Sequence, residues 1–450
     1  MLLGLEVAAA HAVGALSRLS GRGGGTTLPG KLLAAVDPAA VERLGRELPL
    51  GSVVVSATNG KTTTTAMVAE LLDARLAYNR SGANLLSGVT SSLLASRGAE
   101  LGLFEVDEAA LPEVARRLHP RVVALGNLFR DQLDRYGELE LVANGWRSML
   151  AALPEARLVV NADDPLLGEL ARERRDVLAY GLDDPAHGRG TLSHAADSKR
   201  CVSCGAPYLY AAVYVGHLGD YRCPVCGNAR LSLDLRATEI ELRGLEGSAF
   251  TLRTPAGSAR IGLSLPGLYN VYNATAAAAI ALALETPLAQ IVAGLGRFVA
   301  AFGRFERIAV ADKTLLMLLI KNPAGANEVV ATLLDGSPPS LALVALNDEI
   351  ADGRDVSWIW DVDFEPLLDG LERVVLAGGR AAELALRFAY GGLERERIEV
   401  VSELESALDR ALELTEPGGE LVILPTYTAM LALRGVAARR GLVPEFWEQP

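Results

Sequence analysis

A turn of small and hydroxyl-bearing residues near the start of the chain separates an apolar run from a helical pattern. Ser52-Val53-Val54-Val55 is typical of a buried strand in a parallel sheet, and Thr64 to Ala74 carries its apolar residues on one face of a predicted helix. Between them stands Ser56-Ala57-Thr58-Asn59-Gly60-Lys61-Thr62-Thr63. A strand, a turn and a helix in this order build α/β folds, in which helices cover a parallel sheet. The chain is therefore predicted to contain a parallel α/β domain.

The same turn has the composition of a phosphate-binding loop. Its backbone N–H groups and the positive end of the following helix would attract an anion, and Lys61 adds a mobile cation. Thr62 stands where a P-loop places the hydroxyl that holds Mg²⁺ beside the β- and γ-phosphates. The strict pattern would have glycine in place of Val55, and an ordinary strand-to-helix turn is the alternative. The context favours ATP with Mg²⁺ as the ligand. The residues predicted to bind it are Thr58, Asn59, Gly60, Lys61, Thr62 and Thr63.

Length and composition indicate more than one domain. The chain has 450 residues, of which 50% are hydrophobic and 5% aromatic. Roughly two or three helix-rich α/β domains are expected for such a chain. A formal net charge of −12 argues against broad binding to the phosphate backbone of nucleic acids, because that binding needs clustered lysine and arginine.

Two apolar stretches bear on localisation. Met1 to Leu16 lacks a basic n-region and contains Glu6 and His11, so it is read as an amphipathic helix rather than a signal peptide. The uncharged stretch Ile261 to Leu284 is long enough to span a bilayer, but Pro266 and two asparagines interrupt its first half. We therefore predict a cytoplasmic protein without a transmembrane segment that works next to a membrane.

All four cysteines fall into two pairs with the spacing of a zinc ribbon. Cys201-x-x-Cys204 and Cys223-x-x-Cys226 are separated by 18 residues, and a glycine follows the second cysteine of each pair. Four thiolates would close the coordination sphere of Zn²⁺, so the predicted role is structural. Two disulfides or a redox pair are the alternatives.

Three further strand-like runs end in polar clusters. They are Leu101 to Val106, Arg121 to Leu125 and Arg157 to Val160. Polar residues at the carboxyl ends of parallel strands face the ligand crevice. The first of these runs ends at Glu105, Asp107 and Glu108, one of which could hold a second Mg²⁺ or order a water, although capping a helix would also explain them.

Changes in composition divide the chain. Residues 193–231 contain all the cysteines and break the alternation of strands and helices, so they are predicted to form an inserted zinc ribbon. From Phe305 a second series of strands and helices begins. We expect an N-terminal helical segment over residues 1–45, a central ATP-binding domain over 46–304 and a C-terminal domain over 305–450.

Taken together, the motifs resemble the ATP-binding blocks of the Mur ligases. The segments that carry this resemblance are, in chain order, the phosphate loop, the strand end at Glu105, the segment from Asn127, Asn161-Ala162-Asp163-Asp164-Pro165, Gly267-Leu268-Tyr269-Asn270-Val271-Tyr272-Asn273-Ala274 and Gly303-Arg304-Phe305-Glu306. The resemblance implies a central ATPase domain and a Rossmann-like C-terminal domain that closes over it. It also implies amide-bond formation through an acyl-phosphate made from ATP and a carboxylate.

Three features are similar to the MurT group of that family, the synthetase subunits of lipid II isoglutaminyl synthase. They are the four-cysteine insertion, Lys321-Asn322-Pro323-Ala324-Gly325-Ala326-Asn327 and the segment Leu346 to Trp358. This resemblance covers nearly the whole chain. It implies amidation of the α-carboxylate of D-glutamate in the lipid II stem peptide, with ammonia from a GatD-type glutaminase subunit in a heterodimer. The chain has no cysteine outside the two pairs that could act as a glutaminase nucleophile.

The resemblance implies roles for individual residues. Lys61 would bind phosphate, Thr62 would hold Mg²⁺ and Glu105 would approach a second Mg²⁺. Asn270 and Arg304 would contact the nucleotide.

Asp355 matches the aspartate that is proposed, in the MurT group, to complete the cysteine–histidine site of the glutaminase partner. Such a carboxylate would orient and stabilise the histidine, as the third member of a catalytic triad does. The alternative is that Asp352 and Asp355 cap a turn before Trp358.

Two residues depart from the family pattern. Ala57 stands where the usual Mur loop has glycine, and Gln132 stands where ligases that add amino acids have a metal-binding histidine. Gln132 is therefore not assigned as a ligand.

Two other functions stay open at this point: a Mur-type ligase that adds an amino acid, and a zinc-ribbon protein whose P-loop is a regulatory switch.

Overall fold

The computed structural model describes residues 27–79, 83–131, 139–192, 196–299, 305–336 and 338–443. The predictions for Met1 to Leu16, Gln132 and Arg304 lie outside these residues.

The strands up to residue 263 are β1 (Ser52–Ser56), β2 (Leu76–Tyr78), β3 (Leu101–Glu105), β4 (Val122–Leu125), β5 (Arg157–Asn161), β6 (Val177–Leu182), β7 (Leu209–Val215), β8 (Leu218–Arg222), β9 (Leu235–Leu242), β10 (Ser248–Thr254) and β11 (Gly257–Leu263). The helices that accompany them are α1 (Leu28–Val36), α2 (Ala40–Gly45), α3 (Lys61–Leu71), α4 (Leu86–Ala95), α5 (Leu111–Leu118), α6 (Leu139–Ala152), α7 (Pro165–Ala171), α8 (Leu268–Ala283) and α9 (Leu288–Arg297).

A nine-stranded sheet forms the centre of this region, in the order β11-β10-β9-β6-β5-β4-β1-β3-β2. Seven strands are adjacent in this sheet in the order β9-β6-β5-β4-β1-β3-β2, and each pair of neighbours among them is parallel. β10 and β11 are antiparallel additions at one edge. The parallel sheet predicted for the domain over residues 46–304 therefore carries an antiparallel hairpin at this edge. Only Pro255 and Ala256 separate β10 from β11, which is too short a connection for a parallel crossover.

Helices cover both faces of the sheet, as the sequence predicts. In β1, Val53 and Val55 pack with Met67 of α3 and with α8, whereas Val54 faces the opposite layer, which contains α1, α2 and α6. Each of these side chains is almost completely buried. The run of valines belongs to a strand with apolar neighbours on both sides, which is the reason for its continuous hydrophobicity.

The helix after the phosphate loop is shifted towards the N-terminus relative to its prediction. It spans Lys61–Leu71 rather than 64–74. Gly60 has a φ of 85°, in the left-handed region, so the chain turns directly into the helix at Lys61. At the other end Leu72 is already extended, with φ −100° and ψ 132°. Lys61 and Thr62 are therefore the first two residues of α3.

The uncharged stretch from residue 261 to 284 forms the end of β11 and helix α8. Nearly every residue of α8 is buried against the sheet and its neighbouring helices. In the part of the chain that the structure describes, no helix has both the length and the apolar character required to cross a membrane.

The second sheet belongs to the C-terminal region. Its elements are β12 (Phe305–Val310), β13 (Lys313–Leu318), α10 (Pro323–Leu334), β14 (Leu341–Ala345), α11 (Glu365–Leu368), β15 (Arg373–Ala377), α12 (Ala381–Tyr390), β16 (Ile398–Val400), α13 (Leu404–Leu414), β17 (Glu420–Pro425) and α14 (Tyr427–Arg439). The strand order is β12-β13-β17-β14-β15-β16, and all but the edge strand β12 run parallel. Apolar side chains fill both faces of this sheet. The carboxyl end of β13 leads to Lys321 and Asn322, which contact the phosphate loop of the first sheet.

Candidate functional site

The phosphate loop, residues 56–60, is fastened to the segment that follows β4. The backbone N–H of Asn59 donates to Oδ1 of Asn127 at 2.9 Å, and Nδ2 of Asn127 donates to the carbonyl of Asn59 at 3.0 Å. Thr58 uses its hydroxyl in the same way: Phe129 N–H donates to Oγ1 at 3.0 Å, and Oγ1 donates to the Phe129 carbonyl at 3.3 Å. Because β1 and β4 are neighbours, the loops after their carboxyl ends meet at this point.

Two glycines explain how the loop fits its surroundings. A Cβ on Gly60 would lie 2.1 Å from Oδ1 of Asn273 in α8, so only glycine allows this approach. A Cβ on Gly126 would lie 2.8 Å from Cβ of Ala57. The buried methyl group of Ala57 therefore occupies space that Gly126 leaves open in the next loop. This packing accounts for alanine at position 57, where the usual family loop has glycine.

Lys61 is buried and forms an ion pair with an acid of the strand end after β3. Its Nζ donates to Oε2 of Glu108 at 2.7 Å and also to the carbonyl of Ala57. Burial lowers the pKa of Lys61, but the charges of Glu108 and Glu105 more than offset it, so the pKa is raised. Burial raises the pKa of Glu108, yet the charges of Lys61 and Lys321 bring it below its usual value. Both groups are therefore ionised at neutral pH.

Of the acids after β3, Glu108 rather than Glu105 makes the direct contact with the lysine. Glu105 ends β3, is 3% exposed and has its backbone N–H and carbonyl bonded to the side chain of Asn79. Its charge nevertheless acts on Lys61. The carbonyl of Glu108 accepts from Nε1 of the fully buried Trp146 at 2.9 Å, which anchors this acid in the site.

A cleft of about 960 Å³, counting its opening to solvent, extends from the phosphate loop between the two sheets. Asn270 lies in its wall at the start of α8, where Nδ2 donates to the Pro266 carbonyl and Oδ1 accepts from Asn273 at 3.1 Å. Oδ1 of Asn273 in turn accepts from Oγ1 of Thr64 at 3.3 Å. The other residues that line the cleft include Asn59, Gly60, Thr63, Val215, Leu218, Leu265, Tyr269, Phe305, Leu319, Lys321, Gly325, Glu328 and Val329. A cleft of this size with a polar and an apolar end suits a nucleotide.

The C-terminal region contributes two residues that contact the phosphate loop directly. Nζ of Lys321 forms an ion pair with Asp131 at 2.6 Å and donates to the Thr58 carbonyl at 3.1 Å. Asn322 and Asn59 form a reciprocal amide pair, with bonds of 3.2 and 3.0 Å. Sequence reasoning noted the segment 321–327 as a resemblance but assigned no site role to these residues, since nothing local indicates which loop they will meet.

Asp355 lies far from this cleft in sequence and on the surface of the C-terminal region. Its Oδ1 accepts from the backbone N–H of Ser357 at 2.8 Å, so it caps a turn, as one of the two alternatives expects. The side chain is exposed, and the bonds from Ser357 lower its pKa. The carboxylate is thus ionised and accessible to a partner at neutral pH. The neighbouring Asp352 is buried and holds Thr428 instead.

The four cysteines converge on one point. The Sγ atoms of Cys201 and Cys226 are 3.5 Å apart, as are those of Cys204 and Cys223, and all four lie within 4.8 Å of one another. A tetrahedral Zn²⁺ with bonds of about 2.3 Å places its sulfur ligands about 3.8 Å apart, so the four thiols fit this ion.

Each cysteine pair has the same turn geometry. The N–H of Gly205 donates to the Cys201 carbonyl, the N–H of Gly227 donates to the Cys223 carbonyl, and both glycines have positive φ near 75°. Burial raises the pKa of the Cys201 thiol, but backbone N–H groups of the knuckle lower it to about 6. A thiol that ionises readily is suited to bind a metal.

The structure thus places Asn59, Gly60, Thr63 and Asn270 in the lining of one cleft, with Lys61 next to Gly60 at the start of α3 and the charge of Glu105 acting on Lys61. Thr62 lies on the first turn of α3. The hydroxyl, N–H and carbonyl of Thr58 bond to Phe129, Asn127 and Lys321, so the structure gives this residue a role in holding the loop. Arg304 lies outside the described residues. The roles of all these residues in binding the nucleotide and Mg²⁺ stay predictions.

Comparisons with known proteins agree with this arrangement. The family model for the Mur ligase middle domain matches residues 55–222, and that for the MurT ligase C-terminal domain matches residues 319–430. Among solved structures, a pseudomurein peptide ligase type C from Methanothermus fervidus is similar with a TM-score of 0.67 at 20% identity, covering 86% of this chain and 78% of that one. MurF ligase from Thermotoga maritima in complex with ADP has a TM-score of 0.61 at 14% identity, covering 90% and 85%. The fold is therefore that of the Mur ligases.

Two relatives narrow the class. The MurT subunit of lipid II isoglutaminyl synthase (glutamine-hydrolyzing) from Streptococcus pneumoniae is 34% identical over 437 residues, which are 95% of each chain. The corresponding subunit from Staphylococcus aureus is 30% identical over 90% of this chain and 91% of its own length. The chain belongs to the MurT family of the Mur ligases.

The cysteine cluster predicts one Zn²⁺ per chain that stabilises the fold. Treatment of the purified chain with a strong chelator should lower the melting temperature by at least several degrees, because the loss of the ion separates the two knuckles. Metal analysis and thermal unfolding, with zinc added back as the control, measure this. If a reducing agent destabilises the chain and the chelator does not, the cysteines form disulfides instead.

Proposed function

We propose that this chain is the synthetase subunit of a lipid II isoglutaminyl synthase. In this reaction the α-carboxylate of D-glutamate in the lipid II stem peptide is converted to an amide at the expense of ATP. The observation that carries the proposal is membership of the MurT family over nearly the full length, joined to a cleft that begins at a phosphate loop.

The cleft supports a defined way of binding ATP. The backbone N–H groups at the start of α3 and the Lys61 ammonium would hold the phosphates, and the apolar end near Tyr269 and Phe305 would receive the base. A Mg²⁺ ion, held by Thr62 and near Glu105, would neutralise charge on the β- and γ-phosphates. When ATP binds, the Lys61 ammonium would leave the Glu108 carboxylate and pair with a phosphate, because this ion pair lies next to the phosphate loop.

The reaction proceeds in two steps. A carboxylate oxygen of the substrate attacks the γ-phosphorus, and the bond between that phosphorus and the oxygen of ADP breaks. The product is an acyl-phosphate. The lone pair of ammonia then forms a C–N bond to the carbonyl carbon, the C–O bond to phosphate breaks with its electron pair, and one proton leaves the nitrogen. Phosphate is a far better leaving group than the oxygen of a bare carboxylate.

Lys321 supports a role for the C-terminal domain in the first step. Its ammonium reaches the phosphate loop from the other sheet and is paired with Asp131 there. A second cation beside Lys61 would stabilise the charge on the transferred phosphoryl group. The reciprocal pair of Asn59 and Asn322 would hold the two domains in the closed arrangement that this contact needs.

The nitrogen source supports a partner. All four cysteines of the chain lie in the zinc-ribbon cluster, so glutamine hydrolysis requires a nucleophile from elsewhere. A GatD-type glutaminase subunit would supply it and would dock on the C-terminal domain, residues 305–450. Exposed, ionised Asp355 would complete its cysteine–histidine pair. The complex would act in the cytoplasm on lipid II at the inner face of the plasma membrane, with residues 1–45 as a helical N-terminal segment and 46–304 as the ATPase domain.

A direct assay of lipid II tests the proposal. The chain, its co-purified glutaminase, lipid II and MgATP are incubated with glutamine or with ammonium, and the product is identified by mass spectrometry. We expect amidated lipid II with either nitrogen source, and Lys61→Ala should abolish it, whereas Lys31→Ala on the exposed face of α1 should not. Incorporation of an amino acid would instead indicate an amino-acid-adding ligase. ATP consumption that is independent of lipid II would indicate a regulatory ATPase.

Asp355→Asn should separate the two nitrogen sources. Asparagine keeps an oxygen that can accept from Ser357 N–H, so the turn is retained while the charge is lost. Amidation from glutamine should fall at least a hundredfold, because the glutaminase histidine loses its carboxylate partner, and amidation from free ammonium should be unchanged. Initial rates with each source measure this, with the exposed Asp369→Asn as a matched control. Equal loss with both sources would assign Asp355 to the fold or to the synthetase reaction.

A further inference from the structure

We propose that the tip of the zinc-ribbon hairpin, residues 215–218, is part of the ATP site, and that His217 positions the phosphate loop through Phe129. This inference rests on the proposed nucleotide site but not on the amidation reaction. It assigns the insertion a role inside the synthetase centre, in place of a separate docking module.

The hairpin tip lies in the wall of the nucleotide cleft. Val215 and Leu218, the first and last residues of the tip, are buried. They line the cleft together with Asn59 and Gly60 of the phosphate loop. The two strands that lead to the tip are β7 and β8, and β8 ends one residue before Cys223. The hairpin is about 20 Å long at 3.3 Å per residue, so the cysteine cluster holds its far end and the nucleotide cleft receives its tip.

His217 transmits this contact to Phe129. The imidazole is fully buried, its ring centroid is 4.8 Å from that of Phe129, and the two planes are inclined by 57°. In the described part of the chain, neither ring nitrogen has a hydrogen bond, and Nε2 lies 3.4 Å from Oδ2 of Asp164. Gly216 lets the tip approach so closely, because a Cβ there would lie 2.7 Å from the Phe129 ring. The imidazole therefore acts chiefly by packing.

Phe129 in turn holds the loop. Its backbone N–H and carbonyl both bond to the Thr58 hydroxyl. The preceding residue, Leu128, donates its N–H to Oδ2 of Asp164 at 2.9 Å, the same oxygen that faces His217. Displacement of the hairpin tip would thus release the segment 127–129, and the backbone of the phosphate loop would lose its register.

A second set of bonds joins the ribbon to the same centre. Asp163 is fully buried, and its carboxylate accepts from Arg230 of the ribbon at 3.1 Å and from the hydroxyl of Tyr272 in α8 at 2.7 Å. The N–H of Gly219 in β8 donates to the Asp163 carbonyl at 2.9 Å. Tyr272 lies beside Asn273, which contacts the phosphate loop at Gly60. The ribbon is therefore fixed to both walls of the cleft.

Nucleotide affinity tests the proposal without any need for lipid II. His217→Ala should weaken ADP binding to the full-length chain about fivefold to tenfold, the loss expected for a buried aromatic contact that orders the loop. His217→Phe, which keeps the ring, should restore most of the affinity. Removal of zinc should weaken ADP binding in the same way, and added zinc should restore it. Isothermal titration calorimetry gives the affinities, and thermal unfolding of each variant is recorded beside them.

Leu209→Ser, at the exposed start of β7, is the control and should leave ADP affinity unchanged. If His217→Ala does not fold, Gly216→Ala offers the same test, because its methyl group pushes against Phe129. Unchanged ADP affinity in the His217 variant and in the zinc-free chain would overturn the proposal and leave the ribbon a purely structural insertion. Failure of lipid II amidation in the wild-type chain would concern the proposed function alone.

An independent observation concerns Glu328 of α10, from which we infer that its carboxylate binds the ribose hydroxyls of the nucleotide. Glu328 is 8% exposed and lines the cleft, and its carboxylate has no hydrogen bond or ion pair among the described residues. A carboxylate at this depth is costly to the fold unless hydrogen-bond donors reach it from the cleft, which points to a ligand there.

The position of Glu328 along α10 indicates that, of the parts of the nucleotide, its carboxylate contacts the ribose. Asn322 and Gly325, at the start of the helix, lie beside Asn59 of the phosphate loop. Val329 lies with Phe305 at the apolar end of the cleft. Along α10, Glu328 comes one turn after Gly325 and directly before Val329, as the ribose lies between phosphates and base, and acidic side chains are the usual partners of ribose hydroxyls.

The electrostatic setting is consistent with a group that waits for hydroxyl donors. Burial raises the pKa of Glu328 to about 7, the charge of Arg189 opposes this shift and that of Asp335 adds to it. Glu328 also lines a smaller cavity together with Arg130, Arg189, Asp197 and His217. Two hydroxyl groups from a ribose would stabilise its ionised form.

A comparison of two ligands isolates this contact. The wild-type chain should bind ADP about tenfold more tightly than 2′,3′-dideoxy-ADP, which lacks both hydroxyls. Glu328→Met, which keeps the volume and removes both oxygens, should weaken ADP binding to the level of the dideoxy compound and leave the latter unchanged. Glu372→Gln, on the surface of the same domain, is the control. Equal weakening of both ligands would show that Glu328 supports the fold and does not touch the ribose.

Discussion

The phosphate loop of this chain depends on the hydrogen bonds that join it to the segment after β4. Asn127 bonds to both backbone groups of Asn59, and Phe129 bonds twice to the Thr58 hydroxyl. These bonds exist because β1 and β4 are neighbours in the central sheet, so that the loops at their carboxyl ends lie side by side. The N–H groups of Thr58 and Asn59 thus point back to Asn127, and buried backbone groups need such partners. The segment 127–129 supplies them.

Two ion pairs complete the same centre, one of them buried and the other partly buried. Lys61 and Glu108 lie below the loop, and Lys321 and Asp131 join it to the C-terminal domain. Buried pairs of this kind contribute little net stability, because desolvation offsets most of the attraction. They do keep two cations at the place where a polyphosphate would otherwise have to attract them. This arrangement favours ligand binding by exchange of partners, with little rearrangement of the fold.

The inserted ribbon also contacts the segments that lie beside the phosphate loop. Its cysteine cluster stands at one end of a hairpin and its tip stands against Phe129 at the other, while Arg230 reaches Asp163 beneath the cleft. An insertion that only bound a partner would need few contacts with the nucleotide domain. The ribbon instead has buried contacts with Phe129 after β4 and with Asp163 after β5. These contacts are the basis of the support that we propose it gives to the nucleotide site.

The sequence alone determined the features that depend on neighbours along the chain. The strand, turn and helix at residues 52–71, the C-x-x-C pairs and the second βα series could all be predicted from spacing and periodicity, because the groups that define them lie close together in the chain. The limits of α3 and the antiparallel edge at β10 and β11 were less accessible, since a left-handed Gly60 and a two-residue turn decide them.

Only the tertiary structure decided which distant groups meet. It paired Lys61 with Glu108 although Glu105 has the same chemistry, and it fitted Ala57 against Gly126. It also brought Lys321 and Glu328 of the C-terminal region to the cleft that Val215 and Leu218 of the ribbon hairpin line. No local pattern encodes such contacts, because strand order and domain closure create them after the local elements have formed.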